Sequence, residues 1–357
     1  NAVIERKGAK TCFITTSGFR DVLDIGYESR FDQYDILIDK TMSLVPRKHR
    51  YVIDERTDVN GSIITSIDKG QFYNLITKIK NEKFESIAVG FLHSYANPEN
   101  EKILKAFVTK ELPDVEVSVS SDVCPEIREY ERFTTTVVNA YIKPLMSNYL
   151  KKLDQKLLNS GFNCPLLLMT SGGTLTNISS ACNNPVRLVE SGPAGGAILA
   201  TSIAEDMNLN KVISFDMGGT TAKITIIENK KAIKAREFEV DRKARFKKGS
   251  GYPLRIPVIE MVEIGAGGGS IARVNKLEQI ITGPDSAGSF PGPACYSNGG
   301  SMPTITDADL VIGKIDPDNF AGGKIKLSKQ LADKAITENI VKFVNIDNNI
   351  AALAISE

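Results

Sequence analysis

Apolar residues in the first third of the chain follow two spacings, which predict strands separated by helices. Short apolar runs at 12–15 and 86–92 are typical of buried strands, and the alternation at 115–119 is typical of a half-buried strand. Ser66-Ile67-Asp68 and Asn97-Pro98 are helix starts, because a capping residue or a proline precedes a helical pattern. Strand-helix-strand order on this scale predicts an α/β layered domain.

The middle of the chain continues the same pattern with longer elements. A four-residue apolar spacing predicts a long helix over 128–158, in which Pro144 is expected to introduce a kink. The other predicted elements are a buried strand at 166–169, a small-residue helix at 193–207, and two strands at 211–216 and 222–227 joined by a glycine turn.

The remaining third is less regular. The segment 242–248 carries five basic residues, and we interpret it as a solvated loop, with a phosphate-binding or gating loop as the alternative. The glycine- and proline-rich stretch 265–300 is predicted to be irregular. The last stretch of about 30 residues returns to a helical pattern.

Composition narrows the function classes. A formal net charge of +1 over 357 residues favours neither a nucleic-acid partner nor an anionic membrane. No apolar run reaches the ~18 residues that a membrane span needs, and the first ten residues do not resemble a signal peptide, so we expect a cytoplasmic protein. With five scattered cysteines and only His49 and His93, reduced thiols are expected rather than a zinc site, and His93 is interpreted as a packing residue.

The stretch Val212 to Thr221 holds the clearest chemical signal. An apolar strand ends in Asp216, and Met217, Gly218, Gly219, Thr220 and Thr221 follow before the next strand. Glycines allow a positive φ and leave room for backbone N–H groups to approach a phosphate, while the threonines add hydroxyl donors. Asp216 would repel a bare phosphate, so its place indicates that it holds magnesium or orients a nucleophile.

The order of elements around this turn strengthens a signal that is weak by itself. Glu190-Ser191-Gly192-Pro193-Ala194-Gly195-Gly196 opens a small-residue helix about twenty-five residues upstream. This helix followed by a strand–Asp-x-Gly-Gly-Thr–strand hairpin resembles the second phosphate loop and hinge helix of the actin, sugar-kinase and heat-shock-chaperone ATPases. The resemblance makes Ser191, Gly192 and Gly195 candidate nucleotide-binding residues beside Gly218, Gly219, Thr220 and Thr221.

Further motifs resemble one family, the hydantoinase A, N-methylhydantoinase and 5-oxoprolinase proteins. The matching stretches run in order along almost the whole chain: 5–10, 18–23, 128–132, 139–141, 190–196, 265–270, 283–288, 291–296 and 306–310. The resemblance implies an α/β fold of actin-like ATPase (ribonuclease H-like) domains with mixed sheets flanked by helices, incomplete at both ends. It implies the remainder of an N-terminal domain at 1–125 and a hydantoinase A domain at 126–357.

The same resemblance implies an activity that consumes ATP with Mg²⁺. Members of the family open a cyclic amide, such as a hydantoin, an N-methylhydantoin or 5-oxoproline, after phosphoryl activation. Asp216 and Glu263 are then the catalytic candidates, and Asp216, Asp307 and Asp309 the metal candidates; capping or hydrogen-bonding roles are equally open for Glu190, Glu263, Asp307 and Asp309. Asp307 and Asp309 would share a cation from a loop, or face one side of a strand. Lys223 is ambiguous, because relatives carry either an acid or a lysine nearby.

The family leaves two other functions open. Related subunits belong to ATP-dependent carboxylases of ketones such as acetone and acetophenone, and an actin-like fold also suits a non-catalytic nucleotide-binding module. A hydantoinase B-like subunit or fused domain is the expected partner. Because the first phosphate loop and the adenosine-binding motif of the family are absent from the 357 residues, we expect the chain alone to bind ATP poorly.

Overall fold

The computed structural model describes residues 2–28, 30–38, 41–243 and 247–357. The strands are β1 Thr11–Thr16, β2 Arg50–Ile53, β3 Arg56–Thr57, β4 Ile63–Thr65, β5 Ser86–Gly90, β6 Glu116–Val119, β7 Leu167–Met169, β8 Leu175–Asn177, β9 Lys211–Met217, β10 Ala222–Glu228, β11 Lys231–Ala232, β12 Lys234–Ala235, β13 Phe238–Val240, β14 Tyr252–Leu254, β15 Val258–Ile259, β16 Val262–Ile264, β17 Ser270–Val274 and β18 Ile280–Ser286. The α-helices are α1 Val22–Ile25, α2 Lys69–Glu82, α3 Glu99–Glu111, α4 Ser120–Val123, α5 Glu129–Asn159, α6 Ile178–Asn183, α7 Ser191–Asp206, α8 Ile305–Val311, α9 Lys329–Ile336, α10 Lys342–Val344 and α11 Asn348–Ser356.

The chain forms two compact units. Unit 1 comprises Asn1–Ile198 and Lys234–Ile259, and unit 2 comprises Leu199–Ile233 and Glu260–Glu357. The division therefore falls inside α7, and the chain returns to unit 1 once before completing unit 2. The domain boundary near residue 125 that the sequence suggested stays a prediction.

Unit 1 is built on a parallel sheet in the order β2-β1-β5-β6. All residues of β1 and β5 are buried, as expected for central parallel strands covered on both faces. On α2, the predicted stripe of Phe72, Leu75, Ile76 and Ile79 packs into the core formed with β1, β5 and α3. The sequence predicted these elements and did not predict the edge strand β2.

The long helix α5 covers part of this sheet. Phe133 packs against Phe13 of β1 with ring centroids 5.4 Å apart. A Cβ atom at Gly90, the last residue of β5, would lie 2.4 Å from the Phe133 ring, so only glycine permits this approach. The helix runs through Pro144 without a break.

Polar side chains are buried where the strands of this sheet end. Glu101 is fully buried and accepts hydrogen bonds from the Phe91 amide (2.9 Å), the Ser120 hydroxyl (2.7 Å) and the Ser121 amide (2.8 Å). Arg132 is also fully buried and donates to the carbonyl oxygens of Glu126 and Phe91, each at 2.9 Å. This network ties α5 and α3 to the strand ends, because each charged group is held by several partners.

Unit 2 combines an antiparallel sheet with a helical core. Strand β10 pairs with β9 on one side and with β16 and β11 on the other. A separate hairpin, β17–β18, packs with α8, α9 and α11 around Leu310, Ile336 and Ile340. The expectation of an irregular 265–300 segment was therefore wrong for β17 and β18, which pair there across a short turn.

The basic segment 242–248 and the absence of long apolar runs were the other features interpreted from the sequence. In the basic segment, Ala244, Arg245 and Phe246 lie outside the described residues, while Arg242 contacts Glu239 at 3.1 Å and Lys248 lies 4.0 Å from Glu237. Among the helices that the structure describes, none is both long and apolar enough to cross a membrane.

Candidate phosphate-binding site

The predicted phosphate loop is the tip of the β9–β10 hairpin. Strands β9 and β10 pair in continuous register from Met217 opposite Ala222 to Lys211 opposite Glu228. The Gly218 amide donates to the Thr221 carbonyl at 2.9 Å and closes the turn. In the part of the chain that the structure describes, no acceptor is bonded to the backbone amides of Gly219, Thr220 or Thr221. Three successive unpaired N–H groups and two threonine hydroxyls form a turn that suits an anion.

The glycines of this turn leave room next to the backbone and do not adopt unusual backbone angles. Neither Gly218 nor Gly219 has a positive φ, so that part of the sequence argument was wrong. A Cβ atom built on Gly219 would meet no heavy atom within 4 Å. The space next to the Gly219 peptide is therefore empty, so a ligand can approach the backbone there.

A second glycine loop, Gly267–Gly269, supports the hairpin tip from behind. The Gly268 amide donates to the Gly218 carbonyl at 3.0 Å, and the Gly269 amide donates to the Gly219 carbonyl at 2.8 Å. A Cβ atom on Gly267 would lie 2.6 Å from the Thr220 nitrogen. The glycine run that the sequence offered only as a family motif is thus explained by a close approach of two backbones.

The second loop is itself fixed by the start of α8. Both the backbone amide and the Oγ1 hydroxyl of Thr306 donate to the Gly268 carbonyl, each at 2.8 Å. Thr306 was not a predicted site residue, although it lies in the Thr306-Asp307-Ala308-Asp309-Leu310 motif. Its hydrogen bonds connect the hairpin tip, through Gly268, to the core of unit 2.

Asp216, Lys223 and Glu263 lie side by side across three strands. Lys223 is directly opposite Asp216 on one side and Glu263 on the other, so the three side chains share one face of the sheet. The Lys223 Nζ lies 3.8 Å from Glu263 Oε1, and the lysine side chain is only 13% exposed. Asp216 is exposed. The two catalytic candidates from the sequence are therefore brought together, with a cation between them.

Asp307 and Asp309 are placed differently from the expectation. They lie on α8 rather than in a loop or strand, so their i, i+2 spacing does not put them on one face. Asp307 is fully buried as the N3 residue of a capping box, and its carboxylate accepts from the amides of Ala294 (3.2 Å), Cys295 (2.7 Å) and Thr304 (2.9 Å) and from the Thr304 hydroxyl (2.8 Å). The sequence pattern Thr304-x-x-Asp307 was a signal for this cap.

The surroundings of these two aspartates favour structural roles over a shared cation. Burial, and then the negative charge of Asp307, raise the pKa of the Cys295 thiol. Asp309 accepts from the Ser356 hydroxyl at 2.6 Å and lies 3.7 Å from the Lys314 Nζ. Within the described ranges, no three His, Cys, Asp or Glu residues are grouped as metal ligands would be.

The upstream candidates belong to unit 1. Ser191 begins α7, preceded by Glu190 in the left-handed region with φ of 58°. Cβ atoms built on Gly192 and Gly195 would meet nothing within 4 Å. A nucleotide-binding role for Ser191, Gly192 and Gly195 stays a prediction.

Other residues singled out by the sequence have ordinary structural roles. Of the five cysteines, all unpaired, only Cys164 is exposed, and burial holds the pKa of Cys124 at about 11. The ring Nδ1 of His93 lies 2.9 Å from the Thr57 carbonyl oxygen, as suits a packing residue near the end of β5.

Comparison with known proteins identifies the family. The model described as hydantoinase/oxoprolinase matches residues 132–356, and the model of the hydantoinase/oxoprolinase N-terminal region matches residues 1–112. The chain belongs to the hydantoinase/oxoprolinase family, whose members include ATP-dependent amide hydrolases and carboxylases.

Individual relatives agree with this assignment. The chain is 34% identical to caprolactamase subunit alpha of Pseudomonas jessenii over 357 residues, covering 99% of this chain and 50% of the relative. It is 29% identical to 5-oxoprolinase of Saccharomyces cerevisiae over 347 residues, covering 90% of this chain and 26% of the relative. The nucleotide-free structure of acetone carboxylase superposes with a TM-score of 0.77 and 27% identity, over 99% of this chain and 50% of that one.

The structural match confirms the fold class. The crystal structure of the ATP-dependent caprolactamase also superposes with a TM-score of 0.77. The chain therefore has the predicted α/β fold of actin-like ATPase type, with mixed sheets and flanking helices. It spans about half the length of caprolactamase subunit alpha and of the acetone carboxylase chain.

Proposed function

We propose that this chain is part of an ATP-dependent hydrolase that opens a cyclic amide, of the hydantoin, N-methylhydantoin or 5-oxoproline class. The observation that carries the proposal is the hairpin tip, where three unpaired amides lie next to the Asp216, Lys223 and Glu263 row. Relatives named as a caprolactamase and a 5-oxoprolinase support amide-ring chemistry. ATP is the expected phosphoryl donor, and a hydantoinase B-like subunit or domain is the expected partner.

The residues of the hairpin tip fit a phosphate group. Amides at Gly219, Thr220 and Thr221 point to no protein acceptor in the described part of the chain, and open space lies next to Gly219. Such donors are already oriented before charge develops, which is how enzymes stabilise phosphoryl transfer. In this proposal the turn binds the transferring phosphate, and the half-buried Lys223 offsets part of its negative charge.

Asp216 and Glu263 take different roles in this proposal. Asp216 is exposed beside the turn, and a single carboxylate with phosphate oxygens and water is a common setting for Mg²⁺, which would offset phosphate charge when bound. Glu263, whose carboxylate lies 3.8 Å from the lysine ammonium, is the candidate base that accepts a proton from water. Independently of the hairpin tip, we propose a nucleotide-binding role for Ser191, Gly192 and Gly195 at the start of α7.

Phosphorylation explains why an amide ring would need ATP. The amide oxygen attacks the γ-phosphorus, the bond from phosphorus to ADP breaks, and an O-phosphorylated imidate forms. Water adds to the ring carbon, the C–N bond breaks as nitrogen takes a proton, and an acyl phosphate remains. A second water releases the carboxylate and inorganic phosphate, so one ATP and two waters are consumed for each ring.

Substitutions at the hairpin tip test the proposed site. In the full-length gene product with its partner, we expect Asp216→Asn to lower substrate-stimulated ATP hydrolysis on the order of 100-fold, as loss of a transition-state stabiliser does. Asp318→Asn, at another exposed aspartate of unit 2, is the matched control and should leave turnover unchanged. Equal turnover for both variants would contradict the assigned role of Asp216.

Two glycine substitutions separate phosphate binding from stability. In the full-length gene product, Gly219→Ala fills open space beside the phosphate turn. We therefore expect about tenfold weaker binding of ATP, measured by calorimetry, with an unchanged melting temperature. Gly267→Ala puts a Cβ atom 2.6 Å from the Thr220 nitrogen, so we expect weaker binding together with a loss of about 1–3 kcal/mol in stability.

A ketone carboxylase is the second candidate, because acetone carboxylase is among the superposing structures. Assays of the full-length protein with hydantoins, 5-oxoproline or ketones separate the functions. ATP hydrolysis stimulated by a cyclic amide supports the hydrolase, and bicarbonate-dependent turnover of a ketone supports the carboxylase. The absence of any substrate-stimulated ATP hydrolysis would favour a non-catalytic nucleotide-binding module.

A further inference from the structure

Two peptide groups of the phosphate turn have their carbonyl oxygens bound from one side. The Gly268 amide donates to the Gly218 carbonyl oxygen at 3.0 Å, and the Gly269 amide donates to the Gly219 carbonyl oxygen at 2.8 Å. Both of these peptide groups are trans, since the cis peptide bonds among the described residues all precede prolines. The N–H of a trans peptide points away from its C=O. The N–H groups of Gly219 and Thr220 are therefore turned away from the loop that binds the carbonyls.

The donor peptides of the second glycine loop are themselves bound at their oxygens. The carbonyl oxygen of the peptide that joins Gly268 to Gly269 accepts from both the amide and the Oγ1 hydroxyl of Thr306, each at 2.8 Å. The carbonyl oxygen of Gly267, in the preceding peptide, accepts from the Ser270 amide at 2.9 Å. Each of these trans peptides therefore accepts a hydrogen bond at its oxygen and donates one from its nitrogen to the phosphate turn.

Two chains of hydrogen bonds result, which we call the peptide relays. The first relay begins at the Ser270 amide and ends at the Gly219 N–H, and the second begins at Thr306 and ends at the Thr220 N–H. Each relay ends at a donor that has no acceptor within the described residues. Ser270 and Thr306 are only 2% and 5% exposed, so water competes little where the relays begin. Hydrogen bonds in a chain polarise one another, so both end groups are stronger donors than isolated amides.

The third unpaired amide of the turn, that of Thr221, is not part of a relay. Its N–H belongs to the peptide whose carbonyl is that of Thr220, and this carbonyl accepts no hydrogen bond from the part of the chain that the structure describes. The second glycine loop therefore orients and polarises two of the three unpaired amides and leaves the third unsupported.

We propose that the N–H groups of Gly219 and Thr220 bind two oxygen atoms of one phosphoryl group, and that Thr306 is a positioning residue for them. The proposal rests on the proposed function only in taking ATP as the phosphate ligand. A phosphoryl group suits the relay ends because its charged oxygens form stronger hydrogen bonds than neutral acceptors do. Thr306 acts without touching the ligand, since its hydroxyl adds a second donor at the Gly268 carbonyl and so fixes and polarises the relay that ends at Thr220.

Replacing single amides by esters tests which N–H groups bind. In the full-length gene product, the α-hydroxy acid analogue of Thr220 removes the N–H and keeps the side chain. We expect at least about tenfold weaker binding of ATP, measured by calorimetry, because a hydrogen bond to a charged oxygen is lost. The same replacement at Thr221 is the matched control and should change the affinity by less than about twofold. Equal losses at the two positions would overturn the proposal.

The positioning role of Thr306 is tested by removing its hydroxyl alone. Thr306→Val keeps the shape and the backbone amide, and we expect the Kd for ATP to rise about threefold to tenfold. Thr306→Ser retains a hydroxyl and should restore the affinity of the wild type. Thr337→Val is the control for stability, because it removes a hydroxyl of unit 2 that bonds to Asn348 at 3.2 Å, and it should lower the melting temperature without changing ATP affinity.

Two results would overturn the role of Thr306: an ATP affinity that Thr306→Val leaves unchanged, or a loss that Thr306→Ser does not reverse. If Thr306→Val does not fold, the ester pair still decides whether the relay ends bind. All of these measurements follow ATP binding rather than ring opening. A gene product that binds ATP in the expected pattern, but whose ATP hydrolysis no cyclic amide stimulates, would support the relays and contradict the proposed hydrolase.

Discussion

The two main sheets of this protein differ in how completely they are covered. Every residue of β1 and β5 in the parallel sheet of unit 1 is buried, whereas no residue of β9 in the antiparallel sheet of unit 2 is. Parallel strands connected through helices are covered by their own connections, while a hairpin leaves its outer edge and one face free. The central strands of the unit 1 sheet are therefore buried on both faces, whereas the candidate site lies on a sheet whose strand β9 is accessible to solvent.

The polar residues of the two units differ in the same direction. Arg132 and Glu101 in unit 1 are fully buried and held by several hydrogen bonds, whereas Asp216 at the hairpin tip is exposed. Buried charges with complete partner sets stabilise one arrangement of the fold. An exposed carboxylate beside unpaired amides is free to bind a ligand, so charge in unit 1 serves stability and charge at the tip serves the proposed chemistry.

Replacing Arg132 should disrupt unit 1 most strongly. Arg132→Met removes the donors to the carbonyls of Phe91 and Glu126 and to the Ser120 hydroxyl at 3.2 Å, so we expect a loss of about 3–5 kcal/mol in the free energy of unfolding. Urea unfolding measures it. Arg273→Met, at an arginine that is 41% exposed and paired with Asp285, should cost less than about 1 kcal/mol. A similar loss for both would contradict the contrast between buried and exposed charge.

Replacing Asp307 should destabilise unit 2 somewhat less. Asp307→Ala leaves three buried amides and a hydroxyl without their acceptor, so we expect a loss of about 2–4 kcal/mol in thermal or urea unfolding. Asp309→Ala is the matched control, with an expected loss below about 1 kcal/mol, since its partner Lys314 is more than half exposed. Added Mg²⁺ should leave the wild-type melting temperature unchanged; a rise that both variants abolish would instead indicate a shared cation.

The smallest expected effect is a pH dependence at Glu55 in unit 1. Burial raises the pKa of Glu55 above its ordinary value of 4.5, although the Thr16 hydroxyl and the Asn100 amide at 2.8 Å donate to its carboxylate. The folded state then binds more protons than the unfolded state from pH 4.5 up to the raised pKa, so this group's contribution to stability falls as pH rises through that window. The free energy of unfolding of the wild type, relative to that of Glu55→Gln, should therefore fall as pH rises through that window. A relative stability that is flat with pH would contradict the raised pKa.

Regular elements were predictable from local sequence because their signals are local. The hairpin strands were placed within one residue, since apolar runs on both sides of Gly218-Gly219 leave little freedom. The β17–β18 hairpin was missed, because the segment 265–300 around it is rich in glycine and proline, which indicates loops. Strand β2 was missed for the same reason, as Arg50 at its start is a buried charge paired with Asp24.

The candidate site was only partly predictable. Asp216 and Glu263 are 47 positions apart, and their common row follows from the pairing of β9, β10 and β16, which no spacing in the sequence reveals. The role of Thr306 likewise depends on a contact with Gly268 across 38 positions. Asp307 shows the opposite case, because a local capping-box pattern was present and explains its carboxylate better than a metal does.

The Gly268 peptide gives the hairpin tip a mechanical connection. Its amide holds the Gly218 carbonyl, and its carbonyl is held twice by Thr306 at the start of α8. Displacement of the tip along this line must therefore stretch three hydrogen bonds or carry the first turn of α8 with it. The packed interior of unit 2 thus limits how far the phosphate turn can move. Substitutions that repack α8 should therefore change the affinity of the turn for an anion before they change whether unit 2 folds.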